Sequence, residues 1–145
     1  MRERTMAKSL DVVVKGGLVV SGTSICRADI GIKGEQIVSA DVELSRADAS
    51  RVIDASGKYV MPGVIDVHTH PVYEDDMGGL SVTAAYGGTT TLIHYAYAKP
   101  GMKVIETIKK CQEEGLRKSV LDFGLHGAFF DPASQIEEIP RAIDL

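Results

Sequence analysis

The segment Pro62-Gly63-Val64-Ile65-Asp66-Val67-His68-Thr69-His70-Pro71 limits what this chain can become more than any other. It opens on a Pro-Gly turn, continues as a short apolar run and closes on two histidines one residue apart. The run predicts a β-strand, in which successive side chains alternate between faces. His68 and His70 then share a face with Val64 and Asp66, and Gly63, Ile65 and Val67 make the other face small or apolar. A strand of this kind suits a parallel barrel, where the outer face packs on helices and the inner face ends at a site mouth. Two neutral imidazoles held side by side are half a site for a divalent metal such as zinc. A His-x-His pair alone reads equally well as a polar rim at a strand end. The Pro-Gly turn, Asp66 and Pro71 around it favour metal ligands.

The rest of the chain supplies a context. Residues 11–15, 18–20, 28–33, 36–38, 51–54 and 59–61 are short β-branched or alternating runs separated by glycine turns, with Gly34-Glu35 as a hairpin turn. They predict a small antiparallel sheet or half-sandwich with no chemistry of its own. After residue 62 the pattern changes. A helix is expected over 75–86, stopped by Gly87-Gly88, and a strand over 89–95, broken by Lys99-Pro100-Gly101. Residues 102–117 place Val104, Ile105, Ile108 and Cys111 on one helical face, with Gly115 near the end. A third strand spans 119–130. The helix after it can start at Asp131-Pro132 or at the capping box Ser134-x-x-Glu137. The order β-α-β-α-β-α, about one unit per 30 residues, is that of parallel crossover units.

Length then matters. The chain has 145 residues, whereas a closed (β/α)8 barrel takes about 250. The division expected is 1–9 as an N-terminal extension, 10–61 as β-structure and 62–145 as three β/α units of an incomplete barrel. The net charge of −4 leaves no basic footprint for nucleic acid. No apolar run approaches the about 20 residues of a membrane span, and the N-terminus lacks an apolar signal core, so a cytoplasmic location is expected. Cys26 and Cys111 are far apart and read as small buried or half-buried residues in a reducing compartment.

Pro62-Gly63-x-Ile65-Asp66-x-His68-x-His70 resembles the first-strand signature of the amidohydrolase superfamily. Four further segments narrow the likeness: Gly16-Gly17-Leu18-Val19-Val20, Asp54-Ala55-x-Gly57-Lys58-x-Val60-x-Pro62-Gly63, Ala84-Ala85-Tyr86-Gly87-Gly88-Thr89-Thr90-Thr91 and Asp122-Phe123-Gly124-Leu125-His126. These look like the dihydropyrimidinase and hydantoinase branch, and cover most of residues 10–130. Allantoinases and dihydroorotases share much of the same pattern.

The resemblance implies an α/β protein: the N-terminal part of a metal-dependent (β/α)8 TIM barrel, preceded by a small β-sandwich built from both chain ends. It implies hydrolysis of C–N bonds in a small cyclic amide, with a divalent metal, zinc foremost, binuclear in the complete enzyme. His68 and His70 are the implied ligands, and Asp66 a supporting group behind them. The bridging carboxylated lysine, two later histidines and the aspartate base belong to later strands, so no catalytic residue is assigned within these 145 residues. The isolated chain is therefore expected to be inactive, and to be a homo-oligomer or to depend on the rest of the barrel. His94 stands where the family often has an acidic residue. His94 and His126 are expected to be structural or pocket-wall residues, and Tyr73-Glu74-Asp75-Asp76 a solvated loop. The alternative from another class is a non-catalytic scaffold related to the dihydropyrimidinases, against which both retained histidines count.

Overall fold

Glycine-punctuated β-branched runs fill the first sixty residues, and in the computed structural model they pair as strands. The structure describes residues 10–45, 49–71 and 75–145. It divides into one unit ending at Pro62 and another running Gly63–Leu145. The expected extension at 1–9, together with Tyr73 and Glu74, lies outside the described residues.

The first unit holds β1 (Leu10–Lys15), β2 (Leu18–Val20), β3 (Ile25–Arg27), β4 (Asp29–Lys33), β5 (Gln36–Asp41), β6 (Ala49–Asp54) and β7 (Tyr59–Val60). They form a four-stranded sheet in the order β5-β4-β1-β6 and a three-stranded sheet in the order β3-β2-β7. The Gly34-Glu35 hairpin forms as expected, with Lys33 opposite Gln36. The pairing is mixed and not simply antiparallel, because β6 runs parallel to β1 and β7 parallel to β2. Only neighbours joined by a tight turn are obliged to be antiparallel, and β6 and β7 reach their partners from further along the chain. Strand β3 carries no alternating apolar signal, and all three of its residues are exposed. Cys26 sits there, exposed, contrary to the burial expected for it. The polar centre of this unit is Asp29, only 4% exposed. Its carboxylate accepts the Gly16 N–H at 2.9 Å, the Leu44 N–H at 2.9 Å and the Lys15 ammonium at 2.6 Å.

The second unit runs β8 (Val64–Thr69), α1 (Met77–Tyr86), β9 (Thr89–Ala98), α2 (Val104–Lys118), β10 (Asp122–Phe129), α3 (Pro132–Gln135), a 3-10 turn (Ile136–Glu138) and α4 (Ile139–Ile143). The strands form an all-parallel sheet in the order β10-β9-β8. Helix α1 begins where the Asp76 carboxylate accepts the Gly79 N–H at 3.0 Å, an N-cap that satisfies a free first-turn donor. Lys118 ties the far end of α2 to that cap, reaching Asp76 at 2.7 Å and Glu114 at 2.9 Å. The chain leaves α1 through Gly88 at φ +87°, a conformation that favours glycine.

Strand β9 alternates as a strand covered on one face does. Leu92, His94, Ala96 and Ala98 are buried, and Thr91, Ile93, Tyr95 and Tyr97 are half-buried. Ala96 and Ala98 pack with Val104 and Ile108 of α2, and Leu125 and Phe129 of β10 border this core. Gly115 lies near the end of α2, as expected. It lies inside the helix and is buried, with the Phe123 ring where a Cβ would stand, 2.3 Å from its Cζ. The Asp131-Pro132 start prevails over the later capping box: Ser134 lies inside α3 with its hydroxyl turned back to the Asp131 carboxylate, and residues 136–138 form the 3-10 turn. Gln135 is 1% exposed. Its side-chain amide donates to the carbonyls of Ala98, Met102 and Lys99 at 2.9, 3.2 and 3.3 Å, and closes the β9–α2 connection.

Strand β8 is paired on one side only, and Val64, Ile65 and Val67 are exposed. The helical cover expected for Ile65 and Val67 is thus not formed in this unit, where α1 packs on β9.

Candidate metal centre

The β8–β9 register slips between Asp66 and Thr69: Asp66 pairs with Leu92 and Thr69 with His94. Strand β8 therefore carries one extra residue there, the arrangement of a bulge, which re-aims side chains at a sheet edge. Asp66 serves this local shape. Its carboxylate accepts the backbone N–H of His68 at 3.0 Å, so the bond it makes is to the backbone and not to an imidazole. The Val67 carbonyl within the slip is met by His126 Nε2 at 3.2 Å, reaching across from β10.

His68 and His70 come together. Their Nε2 atoms are 2.9 Å apart, and their rings meet edge to face with centroids 4.7 Å apart. Each second nitrogen is held by a tyrosine of β9. His68 Nδ1 lies 3.1 Å from Tyr95 Oη, and His70 Nδ1 is hydrogen-bonded to Tyr97 Oη. The His70 ring stacks on both tyrosines, at 5.0 Å from Tyr95 and 5.7 Å from Tyr97. Register puts His126 directly opposite Tyr95, and their rings lie 5.0 Å apart. The open face of this parallel sheet thus carries three histidines and two tyrosines towards the C-terminal ends of its strands, where ligands gather in parallel α/β sheets.

The structure separates the other two expected positions. His126 belongs to the open face and lines the cluster. His94 is on the opposite face, 4% exposed, tilted against Phe123 at 6.2 Å, and neither of its ring nitrogens has a hydrogen-bond partner. Burial pushes its pKa below the ordinary 6.5. Asp76 is a helix cap and not a free loop carboxylate. Its side-chain bond to Lys118, with the Gly79 N–H behind it, holds its pKa at about 2.

The donor set fits one end of a divalent metal site. Zn–N bonds are about 2.0–2.1 Å, so nitrogens closer than roughly 4 Å can reach a common ion, and 2.9 Å is within that limit. Among the described residues no group of three or more His, Cys, Asp and Glu side chains could hold a metal. The pair would therefore supply only part of a centre, since catalytic zinc takes about three protein ligands. Elsewhere, an open groove of about 790 Å³ runs between α2, β10 and α4, lined by Ile108, Leu116, Phe123, Leu125 and Ile139 among others, and includes neither histidine of the pair.

Tyr95 and Tyr97 were not singled out from the sequence. Their signal was present: Tyr-x-Tyr on β9 repeats the two-residue spacing of His-x-His on β8, so each pair occupies one face of its strand. Only the strand register tells that the two faces are the same.

No family model matches the chain. It is 38% identical over 144 residues to D-hydantoinase of Ralstonia pickettii, covering 94% of this chain and 31% of that protein. It is 34% identical over 120 residues to a dihydroorotase of Lactobacillus gasseri, covering 79% of this chain and 28% of that one. Among solved structures, one of D-hydantoinase superposes with a TM-score of 0.84 at 37% identity, over 93% of this chain and 31% of its own. The L-hydantoinase (dihydropyrimidinase) from Arthrobacter aurescens gives 0.82 at 33% identity, over 93% and 31%. The chain thus spans about three-tenths of the length of the relatives it matches. By sequence and by fold the chain is thus similar to the N-terminal portion of the hydantoinases.

Proposed function

We propose that this chain is the N-terminal part of a metal-dependent hydrolase that opens cyclic amides at a C–N bond. The observation that carries this is the convergence of His68 and His70 Nε2 at 2.9 Å on the open face of a parallel sheet. His68 and His70 would hold a divalent ion, zinc foremost, in a centre that is binuclear in the complete enzyme. Such an ion supplies Lewis acidity towards the amide carbonyl and makes water acidic enough to attack near neutral pH. This chain's part is positional. The bulge with Asp66 sets the approach of His68, and the tyrosine face beneath the rings fixes their orientation.

The sheet reads as the first three strands of a (β/α)8 barrel, and the two sheets before it as one share of a β-sandwich. The exposed Val64, Ile65 and Val67 on β8 and the open groove beside β10 fit this, since neighbouring barrel units would cover both. A cytoplasmic, homo-oligomeric parent enzyme is consistent with it. Among the described residues no helix is long and apolar enough to cross a membrane. The dihydroorotase relative favours a second reading within the same chemistry, in which a dihydroorotate-type ring is the one opened.

The test is an assay of the longer protein that contains this chain, with hydantoin, dihydropyrimidine and dihydroorotate rings as substrates. Ring opening that a chelator stops, a divalent ion restores and His68→Ala abolishes is the expected result. Hydrolysis indifferent to chelator, or intact in His68→Ala, would overturn the proposal.

A further inference from the structure

The most specific contacts at the histidine pair are made by residues outside the motif. We infer that Tyr95 and Tyr97 are positioning residues: they set which nitrogen of His68 and His70 carries the proton, and so turn both Nε2 lone pairs towards one ion. This rests on the metal centre proposed above.

A neutral imidazole has one N–H and one lone pair. Both Nε2 atoms can bind an ion only if both Nδ1 atoms carry the protons, and each Nδ1–H then needs an acceptor. Metal-bound histidines characteristically have their other nitrogen held this way, which fixes tautomer and ring orientation. Here each Nδ1 faces a phenol oxygen, Tyr95 for His68 at 3.1 Å and Tyr97 for His70.

The phenol suits this place for a second reason. With no ion between them, two Nε2 atoms 2.9 Å apart hydrogen-bond to each other, and one of them carries the proton. That ring's Nδ1 is then an acceptor, and its tyrosine must donate. On metal uptake the ring's single proton moves from Nε2 to Nδ1 and the hydroxyl rotates from donor to acceptor. Both rings stay neutral, and no proton is gained or lost. A carboxylate or backbone carbonyl could serve only the loaded form, because it cannot donate.

The tyrosines are themselves constrained. Tyr95 and Tyr97 stack at 5.9 Å and 24°. His126 leans on Tyr95 from β10 while it bonds the Val67 carbonyl, which ties the third strand to the slip that aims His68. Adjacent Ala96 and Ala98 are buried in the core, which fixes the β9 backbone from the opposite face.

The experiment uses the 145-residue chain, labelled with ¹⁵N, with zinc ion as the probe. Long-range imidazole spectra report the tautomer of each histidine, and a titration reports affinity. The wild-type chain should show His68 and His70 as Nδ1–H forms when zinc is added. Tyr95→Phe should release the tautomer of His68, and Tyr97→Phe that of His70, each weakening zinc binding by about 10- to 100-fold. Tyr86→Phe, at a ring 92% exposed on α1, should change neither. Replacing all tyrosines by 3-fluorotyrosine keeps every ring and hydroxyl and so preserves packing. It should shift the Nδ1 resonances in wild type and leave those of the matching Phe variant unmoved. Zinc uptake that His68→Ala abolishes but that Tyr95→Phe and Tyr97→Phe leave unchanged overturns the tyrosine role alone. Absence of zinc uptake by the wild-type chain overturns the metal centre and this inference together.

Discussion

His68 Nε2 lies 2.9 Å from His70 Nε2, with His68 inside the register slip of β8 and His70 one residue past the end of that strand. Two rings two residues apart on a regular strand would merely be parallel neighbours. Here they are turned edge to face, with both second nitrogens tied to β9.

The first prediction follows from that geometry. The 145-residue chain should take up zinc weakly through this pair, and His68→Ala or His70→Ala should each weaken uptake by more than the about 10- to 100-fold that a lost supporting group costs. Isothermal titration measures this directly. The same preparation should not open a hydantoin ring, because two ligands do not build the enclosed site that hydrolysis needs.

Asp29 should be the most sensitive polar position of the first unit. Burial by itself would raise its pKa. The Leu44 N–H, the Lys15 ammonium and the Gly16 N–H outweigh that and hold it at about 2, below the ordinary 3.8. Because the folded value is depressed, this stabilisation is present above about pH 3.8 and is lost as pH falls towards 2. Asp29→Ala removes the charge partner of a half-buried ammonium, which keeps only the Leu44 carbonyl, and strands two backbone donors, and should cost about 2–3 kcal/mol in urea unfolding. Asp29→Asn should lose less, and should flatten the acid limb of the stability profile.

His94 should act in a higher pH range. Burial holds its imidazole neutral, so its folded pKa lies below 6.5. As pH falls through about 6.5 the unfolded chain takes the proton first, and stability declines until the depressed folded value is reached. The slope contributed is at most about 1.4 kcal/mol per pH unit. His94→Phe, which keeps an aromatic ring against Phe123, should remove that part of the slope in unfolding curves taken between about pH 7.5 and 5. An unchanged slope would mean that His94 titrates freely.

Gly115→Ala offers a packing test. Alanine favours a helix over glycine by about 1 kcal/mol, yet its Cβ would stand 2.3 Å from Phe123 Cζ. Overpacking costs about 1–3 kcal/mol, so the single variant should be neutral to destabilised by about 2 kcal/mol. In the double variant Gly115→Ala/Phe123→Leu the clash should vanish and the effects should be strongly non-additive. Thermal unfolding of the four members of the cycle decides it.

Much of this protein was determined by local sequence. The two-residue period placed His68 and His70 on a common side, Gly34-Glu35 set a hairpin, Asp131-Pro132 set a helix start, and the spacing of Val104, Ile105 and Ile108 gave α2 its buried face. Each is an interaction within a few residues, where backbone geometry limits the choices to one or two. The tertiary structure decided the rest. It made the first unit's pairing mixed, put Gly115 against Phe123, brought Tyr95, Tyr97 and His126 to the histidine pair, and sent His94 to the buried face. Those outcomes depend on which strands pair and in what register. A shift of one residue would have exchanged His94 with Tyr95, and alternation along one strand cannot say which of its faces the neighbouring strand and the covering helices will select.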